Sequence, residues 1–555
     1  MLPCVIFEDD HLLAVNKPAG MNTHAPDPFA GEGIYDWLKN REQRWSELAI
    51  IHRLDKETSG VLVFSKSAIA NRSLTEQFTR RKIEKRYFLL TDRLFNQREL
   101  TVKSRIARAD ERYKSGAKGE PAETRFKIAA GDDVRGLISM PEIGRVNPEM
   151  TLEPPYVGSY NIIEANPLTG RTHQIRVHAA ENGFPILGDA LYGGAPAQRL
   201  CLHAAELTLR HPVSGAKTVL RAPADFAADA RLGLRGALVD PRETDAYRVI
   251  HGASDGWPGW YVDKLGNFLV SESETSLTKA QDGKLAQLAN IFSARGAYHS
   301  ISTRRTRGAL LDEASPRLVL GEPAPERFTI SENGLVFELS FREGCSVGLF
   351  LDQRDNRRRM LTGHLAAGVS CLDPRLETQP PKFQLLNAFA YTCGFSVCAA
   401  KAGARTTSLD LSKKYLDWGR RNFALNGLDP ATHEFIYGDA FDWLRRLAKK
   451  ERAFDVVVLD PPTFSQSKGH GAFRVEKDFG KLVSAALPLL KKSGTLFVST
   501  NASEWPPRKF LAAVESAVRG ARRKILRQQY IPQPPDFPVS RAEPAYLKTV
   551  WLRVD

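Results

Sequence analysis

The sequence predicts a multidomain α+β and α/β protein, with a mixed, mostly antiparallel first part and a doubly wound last part. At 555 residues the chain is too long for one hydrophobic core, so several domains are expected. Short apolar runs joined by turn residues dominate up to about residue 225, whereas strand and helix patterns alternate after residue 380. The chain is 42% apolar and 26% charged, which is typical of globular domains.

In the first part, an expected buried strand at 48–51 leads into the turn 52–60, His-Arg-Leu-Asp-Lys-Glu-Thr-Ser-Gly. A strand that runs straight into a turn can present a carboxylate at a fixed point of a cleft, and here that carboxylate is Asp55. The alternative is a turn aspartate that caps its own backbone. Residues 68–81 have helical spacing. Further strands are indicated at 5–7, 12–16, 61–65 and 85–90.

Several sequence blocks in this part occur in the same order as in the RluA-type pseudouridine synthases, and the chain resembles that family over residues 3–225. The blocks are Asn16-Lys17-Pro18, the turn 52–60, a Lys-x-Tyr that ends at Tyr87, Gly-Arg-Thr-His-Gln-Ile-Arg at 170–176, and His203. The resemblance implies isomerisation of uridine to pseudouridine in RNA without a cofactor. The target base is expected to flip into the pocket.

The resemblance also implies roles for individual residues. Asp55 is the catalytic acid, Arg176 its partner in a forked pair that keeps the acid ionised, and Tyr87 the ring that stacks on the base. Basic residues around these blocks are expected to contact RNA, although a charge run is usually a solvated face. The expected RNA-binding residues are Arg53, Arg80, Arg81, Lys85, Arg86 and Arg171.

In the last part, an apolar strand at 383–388 runs into the small-residue loop 389–395, and a helix pattern follows. Three later strands each end in an acid, at Asp410, Asp439 and Asp460. Buried strands that alternate with helices predict a parallel sheet covered on both faces, with ligands at the carboxyl ends of the strands. A lone strand-ending Asp is more often a helix cap, but three in succession favour a nucleoside site.

This stretch is similar to the class I S-adenosylmethionine-dependent methyltransferases. The similarity implies that Asp410 binds the ribose hydroxyls, that Asp439 meets the adenine edge, and that S-adenosyl-L-methionine is the cofactor. Cys393 departs from the pattern, because many such enzymes have glycine there. The expected cofactor-binding residues are Asp352, Arg354, Asn387, Phe389, Tyr391, Thr392, Gly394, Asp410, Asp439 and Asp460. The expected substrate-side residues are Asp460, Pro461, Pro462 and Phe464, whose ring would stack on the target base.

Two further segments, 348–357 and 255–263, match the RlmI and RlmK groups of large-subunit rRNA methyltransferases. In those groups the second segment belongs to a small α+β domain ahead of the catalytic one. The expected partition is a synthase domain at 1–225, a linker or short helix at 226–243, an accessory α+β domain at 244–345 and a methyltransferase domain at 346–555.

The cysteines bear on which atom is methylated. Methylation of cytosine carbon 5 needs a cysteine nucleophile near the later strand 495–499 or after Asp460, and all six cysteines precede Asp460. The motif at 460–468 is closer to the RlmK group, so a ring nitrogen is favoured, with guanine preferred. The alternatives are cytosine carbon 5, tRNA substrates for both activities, or a methyltransferase-like half that only binds RNA.

The overall charge indicates an acidic partner. A formal net charge of +14 points to nucleic acid, most simply 23S-type rRNA, although basicity can serve solubility alone. The cysteine spacing indicates neither a metal site nor a disulfide scaffold. No signal peptide and no apolar run of membrane length is evident. We therefore expect a cytoplasmic protein with no metal, no membrane association and no obligate protein partner.

Overall fold

The computed structural model describes residues 2–129, 138–139, 160–301, 315–343, 346–371, 383–467 and 471–555, and for 138–139, 464–467 and 471–472 it describes the backbone alone. Cys345 lies outside the described residues. The chain forms two compact units. The first comprises 1–25, 33–38 and 47–240, and the second comprises 26–32, 39–46 and 241–555.

The chain up to residue 240 is rich in strands. Its helices are α1 (Ile34–Arg41), α2 (Ala68–Thr79), α3 (Gln174–Glu181) and α4 (Ala230–Leu238). Its strands are β1 (Val5–Glu8), β2 (Leu12–Lys17), β3 (Ala49–Ile50), β4 (Ser59–Ser65), β5 (Glu84–Thr91), β6 (Glu99–Ala109), β7 (Arg112–Ser115), β8 (Glu120–Ile128), β9 (Ile138–Ser139), β10 (Asn161–Pro167), β11 (Leu202–Arg210), β12 (Lys217–Arg221) and β13 (Ala224–Asp225).

An eleven-stranded sheet organises this first unit. The order is β1-β2-β4-β11-β5-β10-β8-β6-β7, with β12 beside β11 and β3 beside β4. Its pairings are antiparallel except for β4 with β11. β4 is buried along its whole length, because the run Gly-Val-Leu-Val-Phe is apolar on both faces. This confirms the mixed, mostly antiparallel fold that the sequence predicts.

The strand expected at 48–51 is shorter and more exposed than predicted. β3 comprises two residues, and Ile50 is 38% exposed. Its short pairing with β4 makes it an edge strand, so Ile50 stays exposed although Leu48 beside it is buried. The helix α2 begins as predicted, because Ser67 accepts a hydrogen bond from the Ala70 N–H and caps it.

The second unit begins with a small α+β layer. Its elements are β14 (Ala246–His251), β15 (Trp260–Leu265), β16 (Phe268–Ser273), α5 (Lys279–Ile291), β17 (Gly296–Ile301), β18 (Arg317–Gly321), β19 (Phe328–Glu332) and β20 (Leu335–Leu339). β14 to β18 form a five-stranded sheet in chain order, and β19 pairs with β20. A Thr278–Gln281 capping box starts α5.

A larger α/β layer follows. Its elements are α6 (Arg354–Thr362), β21 (His364–Ala366), β22 (Val369–Ser370), β23 (Phe383–Ala388), α7 (Gly394–Lys401), β24 (Ala404–Asp410), α8 (Lys413–Leu425), β25 (Glu434–Tyr437), α9 (Ala440–Lys449), β26 (Phe454–Leu459), β27 (Phe464–Ser467), β28 (Gly471–Arg474), α10 (Val475–Ala486), β29 (Leu490–Thr500), α11 (Pro507–Gly520), β30 (Ile525–Ile531) and β31 (Lys548–Val554).

The central sheet of this layer is doubly wound. Its order is β25-β24-β23-β26-β29-β31-β30, parallel from β25 to β29 and antiparallel at β31. β26 is buried at every residue, as a strand covered on both faces must be. The order in which strands are added to the sheet reverses between β23 and β26, so a crevice opens at their carboxyl ends. The predicted α/β fold is confirmed.

In the described part of the chain, none of the helices combines the length and the apolar character that a bilayer span requires.

Candidate active sites

A cleft of about 620 Å³ lies in the first unit, around the turn that carries Asp55. It brings together most of the residues that the sequence singled out there. The predicted residues that line it are Arg53, Asp55, Arg81, Lys85, Tyr87, Arg171 and Arg176. Two predicted RNA contacts lie elsewhere: Arg80 is exposed and pairs with Glu76, and Arg86 pairs with Glu164 at 2.8 Å.

The Asp55 turn is held rigidly from beneath. Lys17 is fully buried, and its ammonium donates to the carbonyls of Pro18, Met21 and Lys56. Burial lowers the pKa of Lys17 to about 7. At the end of the turn, Gly60 has φ +119° and lies against β11, where a Cβ atom would come 2.2 Å from the Ala204 carbonyl oxygen. Only glycine fits both the conformation and the space.

The forked pair predicted between Asp55 and Arg176 is not present. Arg176 instead makes two hydrogen bonds of 2.7 Å to the buried carboxylate of Asp189. Asp55 faces His173, whose Nε2 lies 4.0 Å from Oδ2 of Asp55. Arg176 still acts on Asp55 electrostatically, since the Asp55 charge is among the influences that raise the pKa of Arg176. Arg176 therefore pairs with Asp189, 13 residues further along the chain, and not with Asp55 as predicted.

Tyr87 and His52 form apolar walls of the cleft. Burial, with the nearby Asp55 charge, raises the pKa of Tyr87, so the phenol stays neutral. His52 accepts a hydrogen bond from the Val63 N–H at Nε2 and stacks on Phe78 with ring centroids 4.9 Å apart. Burial lowers the pKa of His52 to about 3, so its ring is neutral as well. The sequence pointed to Tyr87 but not to this use of His52.

Lys85 supplies the cleft with a cation. Its ammonium lies 5.2 Å from the centre of the Phe78 ring, and burial lowers its pKa. Among the described residues the ammonium has no hydrogen-bond or ion-pair partner. It is therefore available to an anionic group entering the cleft.

The second unit contains a cavity of about 360 Å³ at the carboxyl ends of its parallel strands. The predicted residues that line it are Asp352, Asn387, Phe389, Tyr391, Thr392, Gly394, Asp410, Asp439, Asp460, Pro461 and Pro462. Arg354 is buried away from the cavity, where it makes a forked pair with Asp536 at 2.7 and 2.8 Å. The side chain of Phe464 lies outside the described part, although its backbone belongs to β27.

The loop after β23 winds tightly under the cavity. Phe389, Tyr391 and Cys393 all have left-handed backbones, with φ between 48° and 66°. The carboxylate of Asp410 accepts from the N–H groups of Tyr391 and Ser412, both at 2.8 Å. Burial raises the pKa of Asp410.

The unusual Cys393 has its own space. A Cβ atom at Gly419 on α8 would lie 2.3 Å from Sγ of Cys393, so the missing side chain at Gly419 accommodates the thiol. Burial raises the pKa of Cys393 to about 12 and also raises that of Cys398. Neither thiol has the character of a nucleophile.

Asp439 and Asp460 end successive strands on either side of the cavity. Asp439 caps α9 by accepting a hydrogen bond from the Asp442 N–H, and it also lines the cavity. Asp460 is partly buried and accepts from the Ser499 hydroxyl and from Nε2 of Gln353. Burial raises the pKa of Asp460 to about 6. Sequence patterns did not indicate Ser499 or Gln353.

Asp352 offers the cavity an unsatisfied carboxylate oxygen. Its Oδ2 accepts from the phenol of Tyr546 at 3.0 Å, whereas its buried Oδ1 has no hydrogen-bond partner among the described residues. An amino acid ammonium would satisfy this oxygen, and Asp410 retains lone pairs for hydroxyl groups. The cavity thus fits a ligand that joins a nucleoside to an amino acid.

A doubly wound sheet whose acid-ended strands surround such a cavity is the fold of a nucleoside-binding α/β protein. The S-adenosylmethionine-dependent methyltransferase family matches residues 258–553, and the chain belongs to this family. The RNA pseudouridylate synthase family matches residues 11–181, so the chain also carries a pseudouridylate synthase domain.

Individual relatives resemble the second half. A "Ribosomal RNA large subunit methyltransferase" of Deinococcus radiodurans is 36% identical over 342 residues, 59% of this chain and 78% of the relative. A "Ribosomal RNA large subunit methyltransferase I" of Klebsiella pneumoniae is 33% identical over 328 residues, 58% and 76% of the two chains. A solved structure of a putative methyltransferase from Streptococcus mutans is 26% identical, with a TM-score of 0.49 over 62% of this chain and 87% of that one.

Proposed function

We propose that this chain is a bifunctional RNA-modifying enzyme that acts on large-subunit rRNA. Its first unit isomerises a specific uridine to pseudouridine, and its second methylates a base. The observation that carries the proposal is the pair of cavities, one built around Asp55 and Tyr87 and the other around three strand-end acids. The names of the methyltransferase relatives support large-subunit rRNA, of the 23S type, as the substrate.

In the first reaction, Asp55 acts on the sugar of the flipped uridine, either by attack on the glycosidic carbon or by removal of a neighbouring proton. The bond from sugar to base nitrogen breaks, and the uracil rejoins through carbon 5, which loses its hydrogen. No cofactor takes part. Tyr87 stacks on the base, and the cleft cations bind the flanking phosphates. The proposed phosphate-binding residues in the cleft are Arg53, Arg81, Lys85 and Arg171, and those proposed outside it are Arg80 and Arg86.

In the second reaction, bound S-adenosylmethionine supplies a methyl group activated by its sulfonium. Asp410 binds the ribose hydroxyls, Asp439 the adenine edge and Asp352 the ammonium. The remaining cofactor contacts proposed are Asn387, Phe389, Tyr391, Thr392 and Gly394. Arg354 does not contact the cofactor directly in this proposal, since its guanidinium is hydrogen-bonded to Asp536.

The substrate base is held by the loop after β26. Asp460 accepts hydrogen bonds from it, the carbonyls of Pro461 and Pro462 orient it, and Phe464 stacks on it. We assign methylation to a ring nitrogen, with guanine favoured, because a nitrogen lone pair needs alignment and no covalent activation. Cytosine carbon 5 is disfavoured, since the two thiols near the cavity are buried with raised pKa values.

The proposed partition is a synthase domain at 1–225, a connecting segment at 226–243, an accessory domain at 244–345 and a methyltransferase domain at 346–555. A cytoplasmic location follows from the RNA substrate. Two rival functions remain distinct. If the second half only binds RNA, calorimetry will detect no S-adenosylmethionine binding. If both substrates are tRNAs, the protein will bind purified tRNA more tightly than purified rRNA as the salt concentration is raised.

The test is mass spectrometry of rRNA fragments from a strain that lacks the gene, compared with its parent. We expect the loss of one pseudouridine and one methylated base, which also identifies both positions. Complementation with Asp55→Asn should restore only the methyl group, and with Asp460→Ala only the pseudouridine. Loss of neither modification from rRNA would contradict the proposal.

A further inference from the structure

A chain of side chains behind Asp55 has no role in the reaction as described so far. It runs from the backbone of Tyr113 through Tyr192 to His173, whose Nε2 ends 4.0 Å from Oδ2 of Asp55. We propose that His173 is a positioning residue that holds Asp55 through its Nε2–H, and that the hydroxyl of Tyr192 selects this tautomer. The inference rests on the proposed function of Asp55.

The hydrogen bonds of Tyr192 favour one tautomer of His173. The Tyr192 oxygen accepts from the Tyr113 N–H at 2.9 Å and lies 2.9 Å from Nδ1 of His173. A phenol has one hydrogen to donate, and Nδ1 is the acceptor within its reach. With Nδ1 accepting, a neutral imidazole carries its hydrogen on Nε2, which faces Asp55. Burial lowers the pKa of His173, which favours the neutral ring.

The backbone of His173 is held in place for this role. Its φ of 56° is left-handed, an uncommon conformation for a residue with a side chain, and it immediately precedes α3. Gln174 anchors the junction by bonding Thr169, the Glu123 carbonyl and Thr124. The ring also lies edge-on to Tyr192 and Tyr113 at 5.7 and 5.3 Å.

Arg176 cannot take the same role while its fork is occupied. Nε and Nη2 of Arg176 are committed to Asp189, and its guanidinium lies over the Tyr192 ring at 5.0 Å. The charged groups that act on His173 are Asp55, Asp189, Arg176 and Arg53. Arg176 therefore acts on Asp55 through its positive charge, whereas His173 orients the Asp55 carboxylate through a hydrogen bond. A separation of 4.0 Å in the free enzyme is compatible with a hydrogen bond that tightens when substrate binds.

The test uses the full chain and a large-subunit rRNA transcript labelled at carbon 5 of uridine with tritium, which is released when the base rejoins. His173→Ala should lower the single-turnover rate about 100-fold, because a misplaced reacting group costs that much, with little change in KM. His173→Gln, which keeps an N–H near the Nε2 position, should recover part of the rate. Tyr192→Phe removes one hydrogen bond and should reduce the rate about 10-fold. His211→Gln removes another histidine–aspartate pair outside the cleft and is the matched control.

Nitrogen-15 NMR of the histidine rings gives a readout that does not need activity. The wild type should give the Nε2–H signature for His173, Tyr192→Phe should mix the two tautomers, and Asp55→Asn should shift the Nε2 resonance. A wild-type Nδ1–H signature, or full activity in His173→Ala, would overturn the inference. If the wild type releases no tritium, the proposed function fails, and the NMR result still decides the tautomer and its link to Asp55.

Discussion

The carboxylate of Asp460 accepts a hydrogen bond from the hydroxyl of Ser499, which lies on the adjacent strand of the doubly wound sheet. Gln353 donates to the same carboxylate at 3.2 Å. Burial raises the Asp460 pKa to about 6, while these two donors oppose that rise by stabilising the ionised form. The pKa of this hydrogen-bond acceptor at the substrate loop therefore lies close to neutral pH.

Methyl transfer should lose rate as the pH falls through about 6, since protonated Asp460 cannot accept from the substrate base. Ser499→Ala removes a donor to the ionised form, so the midpoint of the pH–rate profile should move to higher pH. Ser503→Ala, an exposed position three residues beyond β29, is the control. A midpoint that stays fixed or moves to lower pH in Ser499→Ala would contradict this account.

Asp410→Asn should weaken the binding of S-adenosylmethionine about 10- to 100-fold, the cost of losing hydrogen bonds to a charged group. The amide keeps the side chain's shape but loses one acceptor oxygen, so the Tyr391 or Ser412 N–H also loses its partner. Isothermal titration calorimetry measures the effect. Asp417→Asn, on an exposed face of α8, should bind as the wild type does, and release of tritium from uridine should be unchanged in both variants.

Asp189→Asn should lower the free energy of unfolding of the first unit by about 3 kcal/mol, because it leaves the buried Arg176 charge without a full partner. The matched control is Glu206→Gln, which weakens a pair with the exposed Arg221 and should cost no more than about 0.5 kcal/mol. Denaturant unfolding of both variants provides the comparison. Equal costs would show that burial of the Arg176 pair is not what stabilises it.

Lys17 should make the stability of the first unit depend on pH. Its folded pKa of about 7 lies below the ordinary lysine value of 10.5, so between these values the unfolded chain binds a proton that the folded protein has released. Stability attributable to Lys17 therefore increases as the pH rises from 7 towards 10.5. Lys17→Met should flatten this slope, measured by denaturant unfolding at pH 7 and pH 9. Lys103→Met, at an exposed lysine, should leave the slope as it is in the wild type.

Local patterns predicted the parts of the fold that depend on local physics. β26 is a largely apolar run, because a sheet covered on both faces buries its central strands, and it ends at the turn that carries Asp460. The same logic predicts Asp410, Asp439 and Asp460 at one edge of the sheet. α3 escaped prediction, since its sequence Gln-Ile-Arg-Val-His alternates like a strand.

Pairings across the fold could not be predicted in the same way. Asp55 and Asp189 are both acids near turns. Which of them pairs with Arg176 depends on which carboxylate the folded backbone places in the plane of the guanidinium. The Ser499–Asp460 bond joins two strands through a register that no local motif specifies. Arg354 was expected in the cofactor cavity, but its fork matches Asp536, a residue 182 positions away.

The close approach of Gly60 to β11 has a consequence for how this chain tolerates mutation. Position 60 touches none of the reacting groups, yet any side chain there would collide with the Ala204 backbone and displace the turn that carries Asp55. A single-base change in that codon could thus silence isomerisation while every residue of the cleft is retained. Natural variation at position 60 is a sensitive marker of whether a lineage still selects for the first activity.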